Sequence, residues 1–298
     1  MNPINHILGC LDLTEIDPVL MRQAAFLARA VAAEGVTFVH FIQAYDLPDR
    51  KNKKFPSEMA IKSVVKKNLT QQISDHCDED INTRLEVLVE KEDSASGIIE
   101  YVDQHEIDLV LIGQKLGLDR EGWYVRKIGR EVASDFVLVS ESSDIKIDTI
   151  LCALDGSEES RAAFERARQL AAAVEARLAC YFLEDTTRSY FPTAGARRAR
   201  TRKDRARKDY QTFLEPYQLT PDEVPCYFEA VGPNENQAEK VHKAAEAEQA
   251  GLIVTGAKGA VATMTSPLGN IFENFLRLEK TIPVMLIKNK KPKRFFRY

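Results

Sequence analysis

The 298-residue chain contains no apolar run approaching the roughly 20 residues that a membrane-spanning helix needs. Its opening, MNPINHILGCLDLTE, has neither a basic first segment nor a small-residue cleavage site. No membrane association and a cytoplasmic address are the resulting expectations. Long Pro, Gly or Ser tracts are also missing, and with 44% apolar and 29% charged residues the composition is that of a folded chain of a length that suits two domains. A basic excess is absent: the net charge is −4 and the pI is near 5.9, which argues against a dedicated nucleic-acid binder, because that affinity comes mainly from neutralising phosphates. Cysteine is scarce and shows no CxxC spacing. The His76–Cys77 pair lacks a second ligand pair at zinc spacing, so no metal site is predicted. Cys10, Cys152, Cys180 and Cys226 sit in short apolar stretches that read as strands, where a free thiol acts as a small hydrophobe, and Cys77 stands alone. Catalytic signatures are missing as well. No P-loop, HxGH, HExxH or Ser/His/Asp pattern occurs, and no catalytic residue is assigned.

What the chain does contain is a repeat. Ile7-Leu8-Gly9-Cys10-Leu11-Asp12 lines up with Ile150-Leu151-Cys152-Ala153-Leu154-Asp155, and the stretch His105–Lys115 lines up with Glu248–Lys258 at the same offset of 143 residues. Two matches at one spacing indicate a duplication. Within each copy, short β-branched or aromatic runs alternate with longer segments of helical periodicity, the pattern of βαβ units on a parallel sheet. Strands are predicted near 5–12, 36–43, 83–89, 108–113 and 136–140 in the first copy, and near 147–155, 177–184, 224–231, 251–256 and 282–288 in the second. Ser157 or Glu158 should open the helix after Asp155, and Ser140-Glu141-Ser142-Ser143-Asp144 reads as the linker. The fold class is thus α/β: two tandem five-stranded parallel-sheet domains of Rossmann-like architecture, over residues 1–142 and 146–298. Ligands of such sheets bind beyond the carboxyl ends of the strands, where strand order reverses.

After its fourth strand the second copy reads Gly256-Ala257-Lys258-Gly259, then Ser266-Pro267-Leu268-Gly269-Asn270-Ile271 opening a helix. Glycines in such a loop let backbone N–H groups approach an anion, and the helix N-terminus adds further donors and a positive dipole end. Lys258 adds charge. The spacing Gly-x2-Gly-x9-Gly, beginning at the end of strand four of a unit that opens with an aspartate, resembles the ATP-binding branch of the universal stress protein family. The resemblance covers nearly the whole chain as two tandem domains. It implies a stress-response role and an adenine nucleotide, ATP with or without Mg²⁺, held by Ala153, Leu154 and Asp155 after strand one, Phe182 on strand two, and Gly256, Lys258, Gly259, Gly269, Asn270 and Ile271 of the loop. Asn270 departs from the Ser or Thr that the family places there, although its amide still donates a hydrogen bond.

The first copy departs further. Asp12 and His40-Phe41-Ile42 fit the family pattern, but Leu116 stands where the second glycine belongs. Gly122 aligns with Gly269 after a four-residue deletion, and Trp123, read as a packing residue, replaces the small polar one. This loop is expected not to bind triphosphate. The basic run Arg197–Lys208 reads as a solvated helix face with Asp204 and Asp209 as local partners, and the tail Lys288–Tyr298 as a frayed end. Glu184 and Asp185 are too few acids beside Asp155 to make a receiver-type phospho-acceptor. The resemblance further implies an unidentified protein partner and an intramolecular pseudo-dimer in which Val137-Leu138-Val139 pairs with Val284-Met285-Leu286, with a homodimer as an additional option. The alternatives are a nucleotide-free interaction module and a protein of at most slow ATP hydrolysis or self-phosphorylation.

Overall fold

The computed structural model describes residues 3–44, 47, 57–90, 93–114, 119–141, 146–185, 196–231, 235–257, 269–278 and 281–288. Backbone contacts divide the chain into two units. The first is Met1–Ile145 together with Glu279–Tyr298, and the second is Lys146–Leu278.

The first unit runs β1 (His6–Leu11), α1 (Asp17–Val31), β2 (Gly35–Gln43), α2 (Glu58–His76), β3 (Thr83–Glu90), α3 (Ser94–Gln104), β4 (Leu109–Gln114), α4 (Asp119–Glu131) and β5 (Asp135–Ser140). The second unit continues with β6 (Thr149–Leu154), α5 (Glu158–Ala173), β7 (Arg177–Asp185), α6 (Ala196–Leu214), β8 (Cys226–Val231), α7 (Gln237–Ala247), β9 (Leu252–Gly256) and α8 (Gly269–Arg277). A last strand, β10 (Val284–Ile287), falls in the first unit. The strands lie within two residues of the sequence expectation at nearly every end, because continuous apolar runs bounded by polar turns leave little freedom in placing a buried strand.

In the first unit the strands are ordered β3-β2-β1-β4-β5-β10, with the first five parallel. β10 pairs with β5 antiparallel through Val284 with Leu138, Met285 with Val137 and Leu286 with Phe136. The expected pairing of the two closing strands is therefore formed, and it removes an edge that would otherwise expose six consecutive buried residues of β5. Lys288 locks it: its backbone N–H donates to Asp135 Oδ1 at 2.9 Å, and its ammonium donates to the carbonyls of Gly129 and Val132 at the C-terminal end of α4. A lysine there satisfies carbonyls that the helix end leaves open.

In the second unit the order is β9-β6-β7-β8, all parallel. β6 and β9 are buried along their whole length, and the core is filled by Phe164, Tyr210, Phe272 and Phe275. α5 begins as expected, with Ser157 as N-cap accepting from Ser160 N–H at 3.1 Å and with Glu158 and Glu159 in the positive first turn.

The duplication is visible in backbone register. Ile7 faces Leu109 across β1 and β4, and Ile150 faces Leu252 across β6 and β9, so both pairs keep the sequence offset. The same holds for a close approach in each unit. A Cβ on Gly113 would fall 2.2 Å from Cγ2 of Ile16, and one on Gly256 would fall 2.9 Å from the backbone carbon of Glu159. Each glycine lies at the carboxyl end of the fourth strand of its copy, Gly113 one residue before the last and Gly256 the last, and lets the start of the first helix press onto it. Among the described residues no helix is long and apolar enough to cross a membrane.

Candidate functional site

Strand order in the second unit reverses between β6 and β9, since the chain leaves β6 toward β7 on one side and reaches β9 on the other. The turn after β6 and the end of β9 therefore flank one crevice. Ala153 and Leu154 close β6 and are buried, with Ala153 opposite Thr255 of β9 and Leu154 opposite Phe182 of β7. Asp155 follows half-buried, and its Oδ1 accepts from Ser157 N–H at 3.0 Å, which fixes the turn into α5. Between them Gly156 has φ +75°, where a side chain would be strained, and an added Cβ would meet only Cζ of Phe182, at 3.8 Å. Apart from the edge of Phe182, the space beside Gly156 is open. The Phe182 ring in turn leans on Phe228 of β8, 6.0 Å between centroids.

Gly256 closes β9 and is held against α5 by its close approach to Glu159. Ile271 lies buried on α8. Gly269 and Asn270 form the first residues of that helix, which starts two residues earlier than Ile271. The structure thus brings Ala153, Leu154, Asp155, Phe182 and Gly256 to one end of one sheet. Lys258 and Gly259 lie outside the described residues, as does Leu116 of the first copy.

Sequence reasoning missed Gly156, although Asp-Gly after a strand is a turn signal. It also missed how the first unit treats the equivalent turn. Leu13 occupies the Gly156 position with φ +63° and remains 46% exposed, an unfavourable conformation for a branched side chain. A fully buried carboxylate holds it there: Asp17 accepts from the N–H groups of Asp12 at 3.1 Å and Leu13 at 2.9 Å. Two successive N–H groups around a left-handed residue form a small anion-binding concavity, and here an internal side chain fills it. Burial, reinforced by the nearby Asp12 carboxylate, pushes Asp17 up to about 7. In the second copy the same position holds neutral Ser160, whose hydroxyl donates to the Ser157 carbonyl at 2.9 Å.

Trp123 differs from its expected packing role. It is 53% exposed because α4 turns Val125 and Ile128 to the core and leaves the indole outward, where the Lys127 ammonium sits 5.4 Å from the ring centroid. Lys127 also donates to Asp93 Oδ2 at 2.9 Å and Ser96 Oγ at 2.6 Å at the start of α3. In the basic run, Arg205 pairs loosely with Asp209 at 3.9 Å, both side chains largely solvated.

Residues 146–288 match the model of the universal stress protein family. No curated protein matches the chain. Among solved structures, a universal stress protein from Archaeoglobus fulgidus DSM 4304 is 16% identical with a TM-score of 0.66, over 95% of this chain and 96% of that one. A putative universal stress protein from Pseudomonas aeruginosa UCBPP-PA14 is 14% identical with a TM-score of 0.66, over 95% and 93%. A functionally unknown protein from Pseudomonas aeruginosa PAO1 is 14% identical with a TM-score of 0.65, over 95% and 92%. At these identities the likeness is one of fold, and it extends over most of the chain.

Proposed function

We propose that the chain is a cytoplasmic stress-response protein of two tandem five-stranded domains, 1–142 and 146–298, whose second domain binds one adenine nucleotide, ATP with or without Mg²⁺. The observation that carries this reading is the strand-order reversal between β6 and β9, with the Asp155–Gly156 turn after one strand and Gly256 at the end of the other, within the segment that matches the family. Gly156 supports the fit, because its left-handed backbone carries no Cβ on the side that a ligand would approach. Phe182 offers an apolar wall beside it.

Ala153, Leu154, Asp155 and Phe182 would hold the base and ribose. Gly256, Lys258, Gly259, Gly269, Asn270 and Ile271 would hold the phosphates through backbone N–H groups, the Asn270 amide and the N-terminus of α8. Charge-assisted hydrogen bonds contribute roughly 1.5–3 kcal/mol each, so a few of them with burial of the base reach the roughly −8 kcal/mol of micromolar affinity. No catalytic group is assigned, and the nucleotide acts as a bound signal read out through protein contacts. The first domain takes no triphosphate, since Leu116 and the shortened loop remove the glycines and Asp17 already fills the turn that Gly156 leaves open.

The test is to denature the freshly purified protein and identify released small molecules by mass spectrometry. An adenine nucleotide at a substantial fraction of one per chain is expected. Preparations that carry none, and take up none from millimolar ATP, would overturn the reading.

A further inference from the structure

One edge of the first unit's sheet is closed and the other is not. β10 covers β5, whereas among the described residues β3 pairs only with β2. Folded proteins commonly blunt such an edge with a proline, a bulge or a very short strand. β3 has none of these. It runs for 8 residues, Thr83-Arg84-Leu85-Glu86-Val87-Leu88-Val89-Glu90, and its register with β2 is unbroken from Thr83 opposite Val36 to Glu90 opposite Gln43. All are half-buried except Arg84, which is exposed.

The outward backbone groups follow from one hydrogen bond. Val36 N–H donates to the Asn82 carbonyl at 2.9 Å, so Asn82 faces β2, and by alternation the N–H and C=O of Arg84, Glu86, Leu88 and Glu90 face β2 as well. Those of Leu85, Val87 and Val89 therefore point to the open side. Side chains sort by the same alternation. Arg84, Glu86 and Glu90 lie on the α3 face, where Arg84 pairs with Glu86 at 2.7 Å, the Tyr101 hydroxyl donates to Glu86, and a Cβ on Gly97 would fall 2.8 Å from Glu90 Oε2. Leu85, Val87 and Val89 lie on the other face, the one that α2 covers.

We propose that the open edge of β3 pairs with β3 of a second copy of this chain, antiparallel about a twofold axis through Val87. Hydrogen-bond parity and charge select this register together. Only registers that set outward residues against outward residues form bonds; with Val87 opposite Val87 of the second copy, Leu85 meets Val89 and each exchanges both backbone bonds. Arg84 then stands opposite Glu90, and Glu86 opposite Leu88. Sliding by two residues sets Glu86 against Glu86 in one direction and against Glu90 in the other, so like charges lie directly opposite. A longer slide that puts Arg84 opposite Glu86 leaves only residues 83–87 of the strand paired. On the opposite face Leu85, Val87 and Val89 of both copies form one apolar ladder, and Met59 and Val64 of α2, 81% and 70% exposed, add apolar surface on that side of the sheet. The chain already continues its parallel sheet with an antiparallel strand at β5 and β10. Isologous pairing uses up this edge in both copies and so closes at a dimer.

Sedimentation equilibrium of the full chain, reduced, from about 1 to 300 µM reads the dimer Kd. A reversible dimer is expected, since a strand-sized interface lies at the small end of specific ones. Val87→Pro removes an outward N–H and none that β2 uses, a position where edge strands accept proline, and should raise the Kd at least tenfold. Arg84→Glu should raise it as much by setting like charges opposite, and adding Glu90→Arg should bring it back to within about threefold of wild type. Residue-resolved hydrogen exchange gives a second readout: the amides of Leu85, Val87 and Val89 should slow as concentration rises, while those of Glu86 and Leu88, already turned to β2, should not change. Should Val87→Pro fail to fold, the charge swap and the exchange pattern carry the test. A monomer across the whole range, a dimer indifferent to Val87→Pro and Arg84→Glu, a charge swap that fails to restore it, or protection that appears on β8 instead would overturn the proposal.

Discussion

Asp17 makes a test of how the first unit is held together. Its carboxylate is fully buried and clamps the N–H groups of Asp12 and Leu13, and burial pushes its pKa up to about 7 from an ordinary 3.8. Because the folded value lies above the unfolded one, the folded chain keeps a proton that the unfolded chain has already released. The stability from this group is therefore full below about pH 4 and is lost as pH rises through 7. Between pH 5 and pH 8 the loss should be about 2–3 kcal/mol, on the scale of 1.36 kcal/mol per pKa unit. Asp93 and Glu165, held below their ordinary values, change protonation under more acid conditions and do not obscure the window. Asp17→Asn removes the titration but turns a donor toward one of the two N–H groups, at a cost of about 1–3 kcal/mol for the lost partner. Urea denaturation of wild type and Asp17→Asn at pH 5 and pH 8 isolates the group: the variant should be clearly less stable at pH 5 and close to wild type at pH 8. An equal difference at both values would mean that Asp17 titrates at its ordinary value and that burial does not raise it.

Other consequences follow from single backbone positions. Gly156→Ala should lower stability by about 1–2 kcal/mol, the cost of a left-handed conformation, rather than by steric clash, since the added Cβ finds open space beside Phe182; a denaturation midpoint equal to wild type would show that the turn relaxes freely. Lys288→Ala should destabilise the β5–β10 pairing by about 1–2 kcal/mol through the unpaired carbonyls of Gly129 and Val132, and hydrogen exchange at Val137 and Leu138 should speed up while exchange in β6 does not. Replacing Arg197, Arg198 and Arg200 by Ala should leave nucleotide affinity within a few-fold, whereas a tenfold loss, about 1.4 kcal/mol, in calorimetry would show that this segment closes over the ligand.

The strands of both copies were legible because each is a short apolar run cut off by polar turns, and the repeat from Ile7–Asp12 to Ile150–Asp155 fixed which runs correspond. The N-cap at Ser157 was legible for the same local reason. Features that depend on what comes alongside were not. Asp17 reads as an ordinary first-turn acid until α1 is packed against the turn that it clamps. Trp123 reads as a packing residue until the α4 face is set by Val125 and Ile128. The alternation of open and paired amides along β3 depends on strand register, which periodicity does not specify. Leu13 and Gly156 show the two kinds of information together: Asp-Gly announces a left-handed turn in one copy, while in the other only the structure reveals that a leucine has been forced into it.

The central claim is that the second domain alone holds one nucleotide and does so through backbone geometry. Titration calorimetry of wild type, Gly259→Val, Lys258→Ala and Leu116→Gly with ATP tests it most directly. The account predicts one site per chain in the wild type, no measurable binding in Gly259→Val because a branched side chain blocks approach to the N–H groups, and only a modest loss in Lys258→Ala, a solvated point charge. Leu116→Gly should still show one site. Two sites per wild-type chain, or unchanged affinity in Gly259→Val, would contradict it.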